Sequence, residues 1–343
     1  MKDFSTKHLM FLVLGTCIIS VTSYSSIFIR KGYVDTWLFS VISALLFTLF
    51  FIYFLKICAK KNISNSAHIF SNVYLYIFSI GLILVSIESA SCFSSSIHTN
   101  YFLRTPLWYC LLFIIVPAGY VLTKNINSVL IVTMITVGIT FALYSIFLIL
   151  CMFKAEFSSL LPILSGGLQK NSILCILSLI GSLSSVMIIF PYAPYFDCKH
   201  NLIKNITLAF LFCSILMVLS FISVTTILGE NLTSNIFYPE YVLSQNIHIS
   251  NFIEYGQLVF IFKSVSMFFI KYILSSYAII LLFKNKITNK SRFILIYSVV
   301  IFIFSYLLSK NQYILFNSLE IMQYIWIVTF IAAPFLSLKM SKI

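Results

Sequence analysis

Residues 172–194 read Ser-Ile-Leu-Cys-Ile-Leu-Ser-Leu-Ile-Gly-Ser-Leu-Ser-Ser-Val-Met-Ile-Ile-Phe-Pro-Tyr-Ala-Pro, a stretch without a charged side chain. About 20 apolar residues in a helix cross the hydrocarbon core of a bilayer. Because lipid offers no partner for exposed backbone N–H and C=O groups, such a stretch has to be helical. Glycine and serine at its middle mark where the helix can leave its regular path. The stretch therefore predicts a transmembrane helix with an irregular centre.

The rest of the chain has the same apolar character. Of the 343 residues, 60% are hydrophobic and only 9% are charged, and the mean hydropathy is +1.03. A soluble domain carries about 25% charged residues, and a disordered chain needs low hydrophobicity. The composition therefore predicts an all-α integral membrane protein. It argues against soluble enzymes, nucleic-acid-binding modules and secreted disulfide scaffolds.

Ten apolar segments are long enough to be membrane helices, and we number them spans 1 to 10. They cover residues 8–29, 37–57, 69–95, 107–123, 128–153, 172–194, 203–229, 256–283, 293–309 and 319–338. Since no linker rich in Pro or Gly divides them, we expect one polytopic membrane domain over residues 1–343. The two longer connections, 154–171 and 230–255, are predicted to be a short interfacial element and an outward-facing loop.

Lys and Arg are unevenly distributed between the two sides of this predicted topology. With the N-terminus inside, fourteen of the 22 lie on the inner side, two lie within span 8 and six lie outside. The six outer residues are Arg30, Lys31, Arg104, Lys154, Lys170 and Lys310. Inner loops of membrane proteins carry the excess of positive charge, so the bias predicts that both termini are cytoplasmic. It also accounts for the net charge of +13 without nucleic acid as a partner.

Ten spans divide into two sets of five, with repeat halves of about 1–153 and 172–338, and an odd-numbered repeat inserts its second copy upside down. Many secondary transporters are such inverted repeats, with a midplane site between the broken first helices of the two halves. Small residues at matching depths in spans 1 and 6 can expose backbone groups to a ligand. Small residues also let helices pack closely, and the sequence leaves both roles open. The candidate ligand-binding residues are Gly15, Thr16 and Cys17 in span 1 and Gly181, Ser182, Ser184 and Ser185 in span 6.

Three ionisable residues lie inside predicted spans: Glu88 in span 3, and Lys263 and Lys271 in span 8. An unpaired charge in lipid is costly, so each should face a cavity or a partner. Glu88 and Lys263 have opposite charge and similar predicted depth, which makes a gating or charge pair between them our hypothesis. The alternative is that Lys263 reaches up to the membrane surface and Glu88 belongs to a polar rim. Lys271 is deeper and lies about 80° around the helix from Lys263.

Signatures of catalysis and of cofactor or metal binding are absent from the sequence. Gly166-Gly167 is not followed by the Gly-Lys-Ser/Thr of a phosphate-binding loop. The cysteines form no Cys-x-x-Cys pair and no cluster with histidine at metal-ligand spacing. We therefore expect neither an enzyme nor a bound metal or cofactor.

Several different short motifs occur in a characteristic order along almost the whole chain. They are Leu9 to Thr16, Asp35-Thr-Trp37-Leu38, Arg104-Thr105-Pro106, Leu161-Pro162 with Gly166, Tyr238-Pro239, and Phe252-Ile253 with Lys263-Ser264. With its motifs in this order, the chain resembles the spore germination permease family, the GerAB-type membrane B subunit of nutrient germinant receptors. That family belongs to the amino acid–polyamine–organocation transporter superfamily. This chain departs from it in span 6, where Ser184 or Ser185 stands at the place of a frequent acidic residue.

The resemblance implies a LeuT-like fold with helices 1 and 6 broken at the centre. It also implies a subunit that binds a small nutrient germinant, often an amino acid, and triggers germination. Its partners would be an A subunit and a C lipoprotein in the spore inner membrane. The alternative is an amino-acid/cation secondary transporter without a sensory role, because the fold of the two would be the same. A membrane enzyme acting on lipid-linked sugars has no support in the sequence.

Overall fold

A computed structural model describes residues 6–16, 19–60, 72–164, 167, 169–196, 202–247 and 255–340, and this part of the chain is almost entirely helical. The α-helices are α1 (Thr6–Thr16), α2 (Ile19–Thr22), α3 (Ser26–Gly32), α4 (Thr36–Lys60), α5 (Asn72–Asn100), α6 (Leu107–Thr123), α7 (Ile126–Lys154), α8 (Lys170–Leu183), α9 (Leu202–Leu228), α10 (Glu230–Asn235), α11 (Pro239–Gln245), α12 (Tyr255–Leu282), α13 (Lys290–Ser309), α14 (Gln312–Trp326) and α15 (Ala333–Met340). Tighter 3₁₀ segments cover Tyr33–Asp35, Phe157–Leu160 and Ser184–Tyr195, and a wider π segment covers Ile327–Ala332.

The ten predicted spans correspond to helices of this fold. Among the described residues, eight apolar helical stretches have the length and hydropathy needed to cross a membrane. Two shorter apolar helices account for the other spans. One lies in the region of span 1, and the other, α6, corresponds to span 4. Span 10 begins at Gln312, earlier than the predicted 319, because Asn311 caps α14: its side chain accepts hydrogen bonds from the N–H groups of Tyr313 (2.9 Å) and Ile314 (3.4 Å).

Span 1 is interrupted by a turn at residues 23–25, which separates α2 from α3. This interruption lies nearer the end of the span than the predicted break at Gly15, Thr16 and Cys17. The Thr16 hydroxyl donates to the carbonyl groups of Leu12 (3.1 Å) and Val13 (3.2 Å). Cys17 lies outside the described residues.

Span 6 changes its helical form at its centre. The α-helix α8 ends at Leu183, and the chain continues as a 3₁₀ helix that contains Pro191 and Pro194. Proline lacks the N–H that an α-helix requires. At the transition the Ser184 hydroxyl donates to the carbonyl of Gly181 (2.5 Å). The irregular centre that the serine and glycine residues predicted is therefore confirmed.

The helix α12 is the centre of the bundle. It packs against α1, α5, α6, α7, α11 and the Ser184–Tyr195 segment. About 78% of the residues in the apolar stretch of α12 are buried, but only about 17% of those in α13. The helix α13 therefore lies at the periphery. Large apolar side chains such as Val116, Phe153 and Leu295 are exposed on outer helices, as expected of a surface in contact with lipid.

The connection between spans 7 and 8 is more structured than the predicted loop 230–255. It contains the short helices α10 and α11, which pack against α3, α9 and α12. Gly229 has a φ of 76°, and this left-handed conformation lets the chain turn from α9 into α10. Pro239 occupies the first turn of α11, where its missing N–H costs no hydrogen bond.

We expect Gly181→Ala to destabilise the fold, because a Cβ atom at this position would lie 2.0 Å from the backbone carbonyl oxygen of Gln323 on α14. The loss in unfolding free energy should reach or exceed the roughly 1–3 kcal/mol of ordinary overpacking, since backbone cannot move aside as a side chain can. Gly119→Ala is the matched control, because its nearest neighbour would be the Ser298 hydroxyl at 3.9 Å. Thermal unfolding of the purified variants in detergent compares them, and equal midpoints would refute the argument.

Candidate functional site

Span 1 lies against the irregular centre of span 6. The Ser185 hydroxyl donates to the carbonyl oxygen of Thr16 at 3.1 Å. Ser182 and Ser184 are fully buried beside them, and Ser184 also lies 3.3 Å from the carbonyl oxygen of Trp326. The structure thus brings Thr16 of span 1 into contact with Ser185 of span 6.

The two glycines of this region lie at close contacts between helices. A Cβ at Gly15 would lie 2.8 Å from the Ile270 side chain on α12, and one at Gly181 would collide with α14. Of the two roles that the sequence left open, close helix packing explains both glycines. The serine hydroxyls and the carbonyl oxygen of Thr16 are then the polar groups that remain for a ligand.

A buried ion pair lies beside this region, and we call it with its neighbours the Glu88 cluster (Tyr24, Glu88, Lys271 and Trp326). The Lys271 ammonium lies 2.9 Å from Oε1 and 2.7 Å from Oε2 of Glu88. The Tyr24 hydroxyl donates to Oε1 of the same carboxylate at 2.6 Å. Lys271 also lies 5.3 Å from the ring centroid of Trp326, a cation–π distance. All four side chains are fully buried.

A second buried ion pair forms the Glu240 cluster (Thr22, Tyr144, Ser220, Glu240 and Lys263). Glu240 projects from α11 and pairs with Lys263 of α12. The carboxylate also accepts hydrogen bonds from the hydroxyls of Tyr144 (2.5 Å), Ser220 (3.2 Å) and Thr22 (3.3 Å). Lys263 donates to the Thr22 hydroxyl at 2.7 Å. Five elements of the fold therefore meet at one carboxylate.

The predicted pair between Glu88 and Lys263 is wrong. Lys271 follows Lys263 by eight positions, which places them about 12 Å apart along α12. Glu88 lies level with Lys271, and Lys263 has its own carboxylate in Glu240. Lys263 is also 1% exposed, which contradicts the alternative that it reaches to the membrane surface.

Sequence reasoning missed Glu240 because it assigned the residue to an outward-facing loop. One signal was available, since Pro239 before an acidic residue is typical of a helix start. That signal predicts α11 but not its burial. Tyr24 and Tyr144 were missed because an aromatic residue in an apolar span carries no sign of its hydrogen-bond partner. Within the described ranges, no three His, Cys, Asp or Glu side chains are grouped to hold a metal ion.

The two clusters share two parts of the structure. Both lysines belong to α12, and the segment between α1 and α3 supplies Thr22 to one cluster and Tyr24 to the other. Each cluster contains one ammonium and one carboxylate, so each is neutral as a whole. A displacement of residues 22–24 would therefore change the hydrogen bonds of both ion pairs.

We expect the single variants Glu88→Gln and Lys271→Met each to lose roughly 3–5 kcal/mol of stability, because each leaves one buried charge without its partner. The double variant should lose much less than the sum. Glu88→Gln combined with Lys263→Met is the matched control, and its losses should be close to additive because these residues belong to different clusters. Thermal unfolding of the purified proteins measures both cycles, and stronger coupling in the control cycle would contradict the structure.

With the geometry established, the chain can be compared with known proteins. No curated protein sequence matches it. A solved structure of a Na⁺-coupled sialic acid symporter, in a substrate-bound outward-open state, matches with a TM-score of 0.64. The alignment covers 96% of this chain and 79% of the symporter at 12% sequence identity. At that identity the likeness shows the fold, the LeuT-like arrangement of ten spans with helices 1 and 6 broken.

The sequence comparison agrees with the motifs noted above. Residues 3–315 match the family described as "Spore germination protein". The match includes both buried ion pairs and spans 1 and 6. Members of this family are membrane permeases of the GerAB type, and their role is that of a transporter or receptor rather than an enzyme. The chain therefore belongs to the spore germination protein family.

Proposed function

We propose that this protein is the B subunit of a spore nutrient germinant receptor. It binds a small nutrient such as an amino acid and triggers germination from the spore inner membrane, with both termini on the spore-core side. Its partners are an A subunit and a C lipoprotein. The observation that carries this proposal is the contact between Thr16 of span 1 and Ser185 at the irregular centre of span 6, in a chain of this family.

The broken spans offer groups suited to an amino acid. The carbonyl oxygen of Thr16 accepts a hydrogen bond from Ser185. A carbonyl oxygen has two lone pairs, so it can also accept from a ligand ammonium. The hydroxyls of Ser182, Ser184 and Ser185 lie beside it and can bond to the remaining polar atoms of the ligand. Cys17 is part of the proposed site on the grounds of sequence alone.

Binding at this place would reach the rest of the protein through the two ion-pair clusters. The chain that follows α1 supplies Thr22 and Tyr24, so a ligand that shifts it also shifts the partners of Glu240 and Glu88. Glu240 belongs to α11, which lies in the connection between spans 7 and 8 and packs against α9 and α12. The ligand would thus bias an equilibrium between two positions of α11, and the partner subunits would respond to that bias.

A transporter without a sensory role is the second candidate, and the likeness of the fold to a symporter favours it. The two candidates differ in what the chain does alone. A germination assay with a nutrient panel, comparing a deletion strain with its complemented strain, tests the sensor. Accumulation of a nutrient in vesicles that contain only this protein tests the transporter. Loss of the nutrient response in the deletion strain, without uptake in vesicles, supports the first candidate, and uptake with an unchanged germination response supports the second.

We expect Glu240→Gln to weaken the nutrient response of complemented spores. The substitution removes the charge that neutralises Lys263 and disturbs the hydrogen bonds of Tyr144 and Thr22. At matched protein levels, the nutrient concentration for half-maximal germination should rise at least about tenfold, the equivalent of 1.4 kcal/mol. Glu156→Gln is the control. Because Glu156 is exposed, this substitution should leave the response unchanged. Equal responses of the two variants would remove α11 from the proposed mechanism.

The proposed orientation is testable with a membrane-impermeant thiol reagent. Asn235 ends α10 in the connection predicted to face outward, and Asn285 follows α12 on the predicted inner side, and both are exposed. In intact cells that express the chain, Asn235→Cys should be labelled above the background of the native cysteines and Asn285→Cys should not. Permeabilised cells, in which both should react, are the control. Labelling of Asn285→Cys alone in intact cells would reverse the topology.

A further inference from the structure

The connection between α12 and α13 lies across the ends of two other helices. The Lys286 ammonium donates to the Tyr76 hydroxyl near the start of α5 at 3.1 Å. The Lys290 ammonium donates to the carbonyl oxygens of Lys124 (2.8 Å) and Thr123 (3.3 Å) at the end of α6. These hydrogen bonds bring five cationic side chains to one end of the bundle. We call them the basic cluster: Lys124, Lys284, Lys286, Lys290 and Arg292.

The helices that form the basic cluster supply no counter-charge for it. Apart from Glu88, which is paired with Lys271, residues 36–155 contain no Asp or Glu, and neither do residues 255–319. These two ranges include α5, α6, α12 and α13. The two buried lysines of α12, by contrast, each have a glutamate partner. The number of positive charges on one side of a membrane sets topology, but topology does not require that five of them converge.

The start of α13 adds to the positive charge. The first N–H groups of a helix carry partial positive charge, so acidic side chains are favoured there and basic ones at the opposite end. The first turn of α13 has no acidic residue and contains Lys290 and Arg292 instead. Its cap is neutral, since the Asn289 side chain accepts a hydrogen bond from the N–H of Arg292 at 3.1 Å. An anion at this end of α13 is therefore stabilised both by the helix and by the side chains around it.

Tyrosine rings hold three of the ammonium groups close to the ends of the spanning helices. Each of the three lies at a cation–π distance from its ring. The distances from Nζ to the ring centroid are 4.4 Å for Lys124 and Tyr120, 5.3 Å for Lys286 and Tyr76, and 5.2 Å for Lys290 and Tyr277. Tyrosine is enriched at the depth where hydrocarbon meets the lipid head groups. The basic cluster therefore lies at the depth of the lipid phosphates.

Next to the basic cluster, α6 and α13 pack against each other and expose apolar side chains. Leu295 and Ile296 lie one turn beyond Arg292 on α13, and Val116 lies two turns before Lys124 on α6. All three apolar side chains are exposed. A soluble anion such as inorganic phosphate would contact the cations but not this surface. A phospholipid contacts both, with its phosphate at the cations and its acyl chains along the two helices.

We propose that the basic cluster is a binding site for the head group of an anionic phospholipid, whose acyl chains lie on the exposed apolar side chains of α6 and α13. The lipid supplies the negative charge that the four helices lack, and it connects the α12–α13 connection to the end of α6. An acidic segment of a partner protein would match the charges but would not use the apolar surface. The proposal depends neither on the proposed function nor on the orientation of the chain, because it uses only groups at one end of the bundle.

The test titrates the purified chain, in a neutral detergent, with two lipids that have the same acyl chains. Dioleoyl phosphatidylglycerol is anionic, and dioleoyl phosphatidylcholine has no net charge. Native mass spectrometry measures the dissociation constant of the first bound lipid. We expect phosphatidylglycerol to bind at least about tenfold more tightly than phosphatidylcholine. Glycerol 3-phosphate has the phosphate but no acyl chains, and it should bind at least about tenfold more weakly than phosphatidylglycerol.

A triple variant, Lys284→Gln with Lys286→Gln and Arg292→Gln, removes three exposed cations of the basic cluster and keeps Lys290 at the end of α6. Each cation near an anionic lipid surface strengthens binding roughly fivefold. The triple variant should therefore bind phosphatidylglycerol roughly 100-fold more weakly than the native chain. Its unfolding midpoint without lipid should be close to the native value, because the three side chains are exposed.

The matched control is Arg104→Gln with Lys170→Gln and Lys310→Gln, which removes the same charge from exposed positions outside the basic cluster. Because charges beyond about 10 Å are largely screened, its affinity for phosphatidylglycerol should stay within about threefold of the native value. If the triple variant does not fold, Arg292→Gln is compared with Lys310→Gln, at the two ends of α13. About a fivefold loss is then expected in Arg292→Gln and none in Lys310→Gln.

Four results would overturn the proposal. Equal affinities for the two lipids would show that the head-group charge is not recognised. Binding of glycerol 3-phosphate as tight as that of phosphatidylglycerol would indicate a site for a soluble phosphate. Undiminished binding of phosphatidylglycerol by the variants of the basic cluster, or an equal loss in their controls, would place the lipid elsewhere.

Discussion

Two buried lysines on α12 impose the strongest constraint on this structure. An ammonium in the interior of a membrane protein is tolerated only with a counter-charge and satisfied hydrogen bonds. Lys271 meets this requirement with Glu88 of α5, and Lys263 meets it with Glu240 of α11. These pairs fix which sides of α5 and α11 face α12. Because α12 contacts so many other helices, the position of its charges also determines much of the packing around it.

The α10–α11 segment is attached to the bundle by more than one buried carboxylate. Arg30 donates to the carbonyl of Ser234 at 2.7 Å, and the Tyr241 hydroxyl donates to the carbonyl of Asn100 at 3.1 Å. Glu240 differs from these contacts because it is fully buried and ionic. Moving α11 away would expose two unpaired charges, so its position should be tightly coupled to that of Thr22 and Lys263. This coupling lets a change at residues 22–24 of span 1 reach α11.

Serine hydroxyls hold α5 to its neighbours on the opposite side of the bundle. Ser86 lies 2.8 Å from the hydroxyl of Ser275 on α12 and 2.7 Å from that of Tyr297 on α13. Further along α5, Ser94 and Ser309 are 3.2 Å apart. Helices in lipid gain nothing from a hydrophobic effect between them, so small residues and interhelical hydrogen bonds provide the attraction. Many serines of α5 thus have a packing role, while Glu88 alone brings a charge into that helix.

Local features of the sequence determined the membrane class, the number of spans and the irregular centre of span 6. Each of these depends on a short stretch of chain: about 20 apolar residues make a span, and Gly181 with Ser184 and Ser185 marks a break. Charged residues within spans could also be identified, because any Glu or Lys there needs a partner. The resemblance to a family followed from motifs in a fixed order.

Only the tertiary structure decided how these parts meet. Sequence gives the depth of a residue in its span to within a turn or two, and that is too coarse to choose between Lys263 and Lys271 as the partner of Glu88. It also contains no sign that α11 folds inward and buries Glu240, or that the Gln323 amide lies without a partner beside Gly181. These features depend on which faces of distant helices come together. The physical reason is that burial and pairing are properties of contacts between segments, whereas hydropathy and periodicity describe one segment at a time.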